Sequence, residues 1–176
     1  MGASCLVLYL VGCGSGGGGE SPVEIRVSNN GDFQIRSKAD SVTIQGVKLN
    51  RDNCVVNFVL VRETVQDALS QMDALSQMDA LSQMDALSQM DALLSQITPI
   101  SMQDFKDMAS VYKEFNNKER VANIENKISQ LEQKGVMMEP QTLKFGESLK
   151  GFSQRCDIIE ATIQTDKGTW TFNFNR

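Results

Sequence analysis

The chain has 176 residues, 17 Lys and Arg against 22 Asp and Glu, a net charge of −5 and no His. That length supports one domain with a core of its own. The charged residues form no basic patch of the kind nucleic-acid binders carry, so no nucleic-acid partner is expected. The absence of His removes the commonest general base and the commonest metal ligand.

Residues 5–12 read Cys-Leu-Val-Leu-Tyr-Leu-Val-Gly, and Cys13 and a Gly-Ser tract over 14–19 follow. The apolar run is too short to span a bilayer. Leu10-Val11-Gly12-Cys13, at its end, resembles the lipobox of bacterial lipoproteins: a branched apolar residue, a small or apolar residue, Gly or Ala, then Cys. The resemblance covers residues 1–13 only. It implies that 1–12 is a signal peptide, cleaved before Cys13, and that Cys13 becomes the acylated N-terminus. Gly14, in place of the Asp that retains lipoproteins in the inner membrane, implies an outer-membrane lipoprotein facing the periplasm or the surface. Several acyl chains would anchor stably where one is marginal. Signal peptides open with Lys or Arg. Met1-Gly2-Ala3-Ser4 has neither, so the expected start lies upstream. Myristoylation at Gly2 is disfavoured by Leu6, where that signal takes Ser or Thr. Residues 13–22 then comprise the lipidated Cys and a tether with the composition of a flexible linker.

From Val23 the pattern alternates. Val23-Glu24-Ile25-Arg26-Val27 predicts a strand. Asn29-Asn30-Gly31 predicts a type I′ hairpin turn, leading into a strand through Phe33 and Ile35. Ser41–Leu49 predicts a third strand, with Gly46 a candidate bulge. Cys54–Val61 is apolar enough to predict a central fourth strand.

The stretch 67–96 repeats Asp-Ala-Leu-Ser-Gln-Met four times without change, then ends in an altered copy, Asp-Ala-Leu-Leu-Ser-Gln. Most of these residue types favour helix, and no Gly or Pro interrupts them. A helix from near Glu63 to about Gln96 is expected. Its apolar groups, Leu69, Met72, Leu75, Met78, Leu81, Met84, Leu87 and Met90, recur every three residues. Each step falls short of a full turn by about 60°, so the stripe winds around the helix and no coiled-coil seam persists. These eight side chains form the candidate interaction surface. A genetic origin, in-frame duplication by slippage, explains the same perfect copies. The methionines, six apart, point about 120° from one another and do not form a copper site.

Pro99 ends that helix. Ser101 and Asp104 suggest a capping box, opening a second helix over Met102 to about Lys134 with Gly135 as its C-cap. Phe105, Met108, Tyr112, Phe115, Val121, Ile124, Ile128 and Leu131 form a seam, with a skip at Asn116-Asn117 where a kink or a break is expected. Two helices of about 33 residues, each roughly 50 Å long, would lie antiparallel. Strands are expected again at Thr142–Phe145, Asp157–Gln164 and Thr169–Phe174. Trp170, Phe172 and Phe174 share one face, read as core in preference to a carbohydrate platform.

Cys54 and Cys156 flank the helical segment and are expected to pair, as cysteines of a secreted chain do; two buried free thiols are the alternative. No catalytic site is legible. Gly12–Gly19 lacks the context of a phosphate loop, no Gly-x-Ser-x-Gly occurs, and Asp157 and Glu160 look like ordinary strand residues. No cofactor or metal is expected.

The reading is an α+β chain. A small antiparallel β-sandwich or barrel (23–61 plus 139–176) carries a long inserted antiparallel helical hairpin (62–136). The function expected is a non-enzymatic envelope lipoprotein of structural or adaptor role. Its partners would be the membrane, through the lipid, and another envelope protein or a second copy, through the hairpin. A periplasmic ligand-binding or inhibitor module acting near Trp170, and a mobile-element exclusion lipoprotein, are the alternatives.

Overall fold

A computed structural model describes residues 20–73, 88–89 and 91–174, and among these the side chains of 68, 69 and 71–73 are not described. The fold is α+β, with two antiparallel sheets and a group of helices. Strands β1 (Val23–Val27), β2 (Asp32–Ser37), β3 (Ser41–Leu49), β4 (Gln141–Lys144), β5 (Ser148–Phe152), β6 (Glu160–Thr165) and β7 (Gly168–Asn173) make sheets of order β1-β2-β5 and β4-β3-β6-β7. The inward residues of both sheets form one core. Ile35, Val42, Ile44, Leu49, Ala161 and Ile163 are completely buried there.

The β1–β2 hairpin forms as expected, with Val27 opposite Phe33. Its turn is not type I′, because Gly31 (φ +90°) has positive φ and Asn30 does not. The turn is closed by Ser28 N–H to the Asp32 carbonyl at 2.8 Å, and Gly31 N–H donates to the Ser28 carbonyl. Gly31 is fixed for a second reason. A Cβ on it would stand 2.2 Å from the Ser153 carbonyl oxygen, while Ser153 N–H donates to the Gly31 carbonyl at 2.9 Å. Gly31→Ala is therefore expected to cost about 2 kcal/mol or more, strain and displacement of the 153 loop together. A urea midpoint within error of wild type would refute that account.

Gly46 does mark a bulge: the β3–β6 register shifts between Ile44 and Gly46. The apolar run 54–61 is not a strand. It makes single bridges, Leu49 to Cys54 and Asn57 to Phe152, and crosses from the sheets to the helices. Val55 and Leu60 are exposed, whereas Phe58 packs edge-on against Phe33 with ring centroids 5.7 Å apart. The run is apolar because it is covered in places, and the N–H groups of Phe58 and Val59 are taken by the Asp104 side chain. Strand β5 has no clear alternation, since Lys150 and Gly151 interrupt it. It exists through pairing with β2.

The helices are α1 (Val61–Asp73), a helical stretch at 91–96, α2 (Met102–Glu114) and α3 (Lys118–Gln133). The expected single helix over 102–134 is thus two helices that pack on each other. The reason lies in two residues. Asn116 takes a left-handed conformation (φ +55°) that ends α2, with Asn117 N–H reaching back to the Tyr112 carbonyl at 2.9 Å. Asn117 then caps α3, accepting from Arg120 N–H at 3.2 Å. The long two-armed hairpin is corrected accordingly: its second arm folds back on itself. Gly135 (φ +68°) ends α3 as expected, with Val136 N–H bonded to the Leu131 carbonyl.

Candidate interaction site

The helices own a core separate from that of the sheets. Val61, Val65, Leu94, Phe105, Met108, Val111, Tyr112, Ile124 and Leu131 are buried in it. All eight seam residues of 102–134 contribute, the partly buried ones being Phe115, Val121 and Ile128. The altered fifth repeat copy supplies one anchor. Leu94 is 2% exposed, and its neighbour Leu93 is 45% exposed. Arg120 on α3 reaches Asp91 at 3.4 Å, tying the 91–96 stretch to the unit from the other side.

The junction between the two cores is a buried carboxylate. Asp104, completely buried, caps α2 through a reciprocal capping box with Ser101. Its Oδ2 accepts from Ser101 N–H at 2.8 Å and Ile100 N–H at 3.3 Å. Its Oδ1 accepts from Val59 N–H and Asn57 Nδ2, both at 3.3 Å, and Phe58 N–H lies 3.2 Å from both oxygens. One side chain therefore takes the backbone N–H groups of the outgoing crossover at Phe58 and Val59 and of the α2 start at Ile100 and Ser101. The helix N-terminus adds a favourable field. Only the capping half of this role was legible. The other half joins residues 46 apart in sequence.

The second junction lies on the β side. Asn50, Arg51 and Asp52 form a left-handed turn, φ +49°, +58° and +67°, which non-glycine residues adopt rarely. The Asn50 side chain holds it: Oδ1 accepts from Ile159 N–H and Glu160 N–H at 2.9 and 3.0 Å, and Nδ2 donates to the Asp157 carbonyl at 2.7 Å. The same Nδ2 lies 3.1 Å from Cys54 Sγ. Cys54 and Cys156 stand at disulfide distance, their Cα atoms 5.9 Å apart. Glu160 pairs with Arg51 at 3.4 Å.

A cleft of about 230 Å³ opens in the helical unit among Leu94, Ile97, Phe105, Met108, Tyr112 and Ile124, with Arg120 and Lys127 also on its wall. That is smaller than the usual pocket for a drug-sized ligand, about 300 Å³ upward. Both cations are engaged, Arg120 with Asp91 and Lys127 with Glu139. Burial pushes the Tyr112 phenol above its ordinary pKa; the Asp91 carboxylate adds to this and Arg120 opposes it. The neutral phenol is thus favoured in the folded state. Its contribution to stability is complete below pH about 10 and declines as pH rises from there through the folded value. Urea midpoints measured across that range should fall more steeply for the wild type than for Tyr112→Phe. Parallel curves would overturn the assignment.

Of the candidate interaction surface, Leu75, Met78, Leu81, Met84, Leu87 and Met90 lie outside the described residues, as do Cys13 and the segment 1–19. Leu69 and Met72 lie on α1, their side chains not described. Trp170 and Phe172 are buried in the β core and Phe174 packs against it, so that face is core and offers no open carbohydrate platform. Among the described residues, no three His, Cys, Asp or Glu side chains are grouped to hold a metal, and no helix is long and apolar enough to cross a membrane. Compared with protein-family models, curated proteins and solved structures, the chain matches none.

Proposed function

We propose that this chain is a lipid-anchored envelope protein that holds or contacts another envelope component through its helical unit. The observation that carries this reading is the separateness of that unit. It has its own apolar core, joins the sheets through the Asp104 junction, and bears the repeat between α1 and the 91–96 stretch. A domain built only for its own stability has no need of a second, smaller core beside the first. In this reading the two sheets are a sandwich that serves as a base, and Cys13 with its Gly-rich tract ties the base to a membrane. The anchor rests on the lipobox resemblance at Leu10–Cys13. Partner identity falls between another envelope protein and a second copy of the chain.

The test has two arms. A labelled fatty acid fed to the native host, with the gene expressed from its own locus, should label the wild type and not Cys13→Ala. A photo-crosslinker at Gln96, which is exposed, should then capture an envelope partner whose capture deletion of 67–90 abolishes. Absence of label removes the anchor. A partner still captured after the deletion removes the repeat from the contact.

A further inference from the structure

Phe145 sits on the turn between β4 and β5 and is 70% exposed, the most exposed large apolar side chain among the described residues. The turn is not loose. Phe145 N–H donates to the Asp40 carbonyl at 3.3 Å, Gly146 N–H to the Ser37 carbonyl at 3.0 Å, and Arg36 Nε to the Gly146 carbonyl at 3.2 Å. The backbone of the β2–β3 connection therefore holds an aromatic ring out toward solvent.

The N-terminal side of the described chain arrives at the same connection. Lys38 N–H donates to the Pro22 carbonyl at 2.8 Å, Ser21 is buried, and the Lys38 ammonium pairs with the Glu20 carboxylate. Residues 20–22 and 145–147 thus share the 36–40 segment. The helical unit leaves from elsewhere. At the opposite end of β2, Phe152 exchanges two backbone hydrogen bonds with Asn57, at 2.8 and 3.0 Å, and the helices follow from Val61. The length of β2 separates the two ends, about 17 Å for six extended residues.

We propose that the Phe145 corner is the membrane-facing end of the domain, with its ring seated in the lipid interface. This rests on the lipid-anchor reading of Cys13. Cys13 and Glu20 are seven residue steps apart in sequence. Such a segment reaches at most about 25 Å, and a Gly-rich chain of that length has a root-mean-square span of about 15 Å. A lipid on Cys13 therefore keeps this corner within a short distance of the bilayer. The local concentration of interface is high enough for one aromatic ring to bias orientation. Phe, with Trp and Leu, is among the side chains that interfacial segments bury at the boundary between headgroups and acyl chains. Charge supplies no alternative steering, because Arg36, Lys38 and Lys144 are matched by Glu20, Asp40 and Glu147 at the same corner. Seated this way, the domain presents its helices away from the lipid.

The test uses the full chain carrying Cys5→Ser, coupled through Cys13 to a maleimide lipid in phosphatidylcholine–phosphatidylglycerol vesicles, so that anchoring does not depend on acylation in a cell. Phe145→Trp adds a reporter, and the buried Trp170 serves as internal reference. Lipids with brominated acyl chains should cause a loss of the reporter's emission, as for a ring at the acyl boundary. The same reporter placed by Gln96→Trp should be untouched. Quenching absent at 145, or equal at 145 and 96, would overturn the proposal. Failure of fatty-acid labelling in the host would instead sink the anchor reading, and the two results are read separately.

Discussion

Asp104→Asn is expected to destabilise the protein by about 3–5 kcal/mol, the range for leaving buried charge-assisted partners unmet. The substitution keeps the shape and changes one oxygen into an NH2 group. Both orientations of the new amide fail. With nitrogen at the Oδ2 position it faces Ser101 N–H and Ile100 N–H; with nitrogen at Oδ1 it faces Val59 N–H and the Asn57 amide. Four backbone N–H groups, those of Phe58, Val59, Ile100 and Ser101, point at the carboxylate, so an NH2 at either position meets donors. Single-domain stability is typically about 5–15 kcal/mol, so the loss is a large fraction. Because Asp104 joins the two cores, the helical far-ultraviolet signal should melt before the Trp170 environment changes. A change in stability under about 1 kcal/mol, or a single coincident transition with an unaltered midpoint, would show that Asp104 is an ordinary cap.

The second large effect belongs to Cys54 and Cys156. They are 102 residues apart in sequence, and closing a loop of that length is worth about 4–5 kcal/mol in the chain-entropy model. Cys54→Ala alone and the double variant with Cys156→Ala should then cost nearly the same, since either change opens the loop. If the two sulfurs are free thiols, the single costs are small and add. A thiol titration of the unfolded chain without reductant distinguishes the cases directly: a bonded pair gives no signal from these two positions. Opening the loop also removes the contact between Asn50 and the sulfurs, so the left-handed turn at 50–52 should become the first site of amide exchange.

Alternation made the strands at 23–27, 33–36, 41–49 and 169–174 legible, because each has one face on the core and one on solvent. The run 54–61 misled for a physical reason. An apolar stretch reads alike whether a neighbouring strand or a distant carboxylate accepts its N–H groups, and here Asp104 accepts those of Phe58 and Val59. Strand β5 was invisible because Ser148–Phe152 acquires its geometry from β2, more than a hundred residues earlier. In the helices, the seam over 105–131 and the skip at Asn116-Asn117 were both readable. What the skip did not reveal was the left-handed residue that turns a kink into a reversal. Of the candidate site, the pairing of Cys54 with Cys156 and the Ser101–Asp104 cap were legible. The Asn50 latch was not, since nothing in Asn-Arg-Asp announces three consecutive positive φ angles.

Strand order also fixes when this protein can fold. The central strand β3 finds both its partners, β4 and β6, beyond residue 140, and β2 waits for β5. Before those segments are available the described residues of the N-terminal half possess one hairpin, β1–β2, and two-stranded hairpins are marginal by themselves in water. Neither sheet can be completed co-translationally from the first 140 residues. Contacts of such long sequence separation also close slowly. Until the segments beyond residue 140 are in place, the first 140 residues therefore hold strands whose core faces are uncovered.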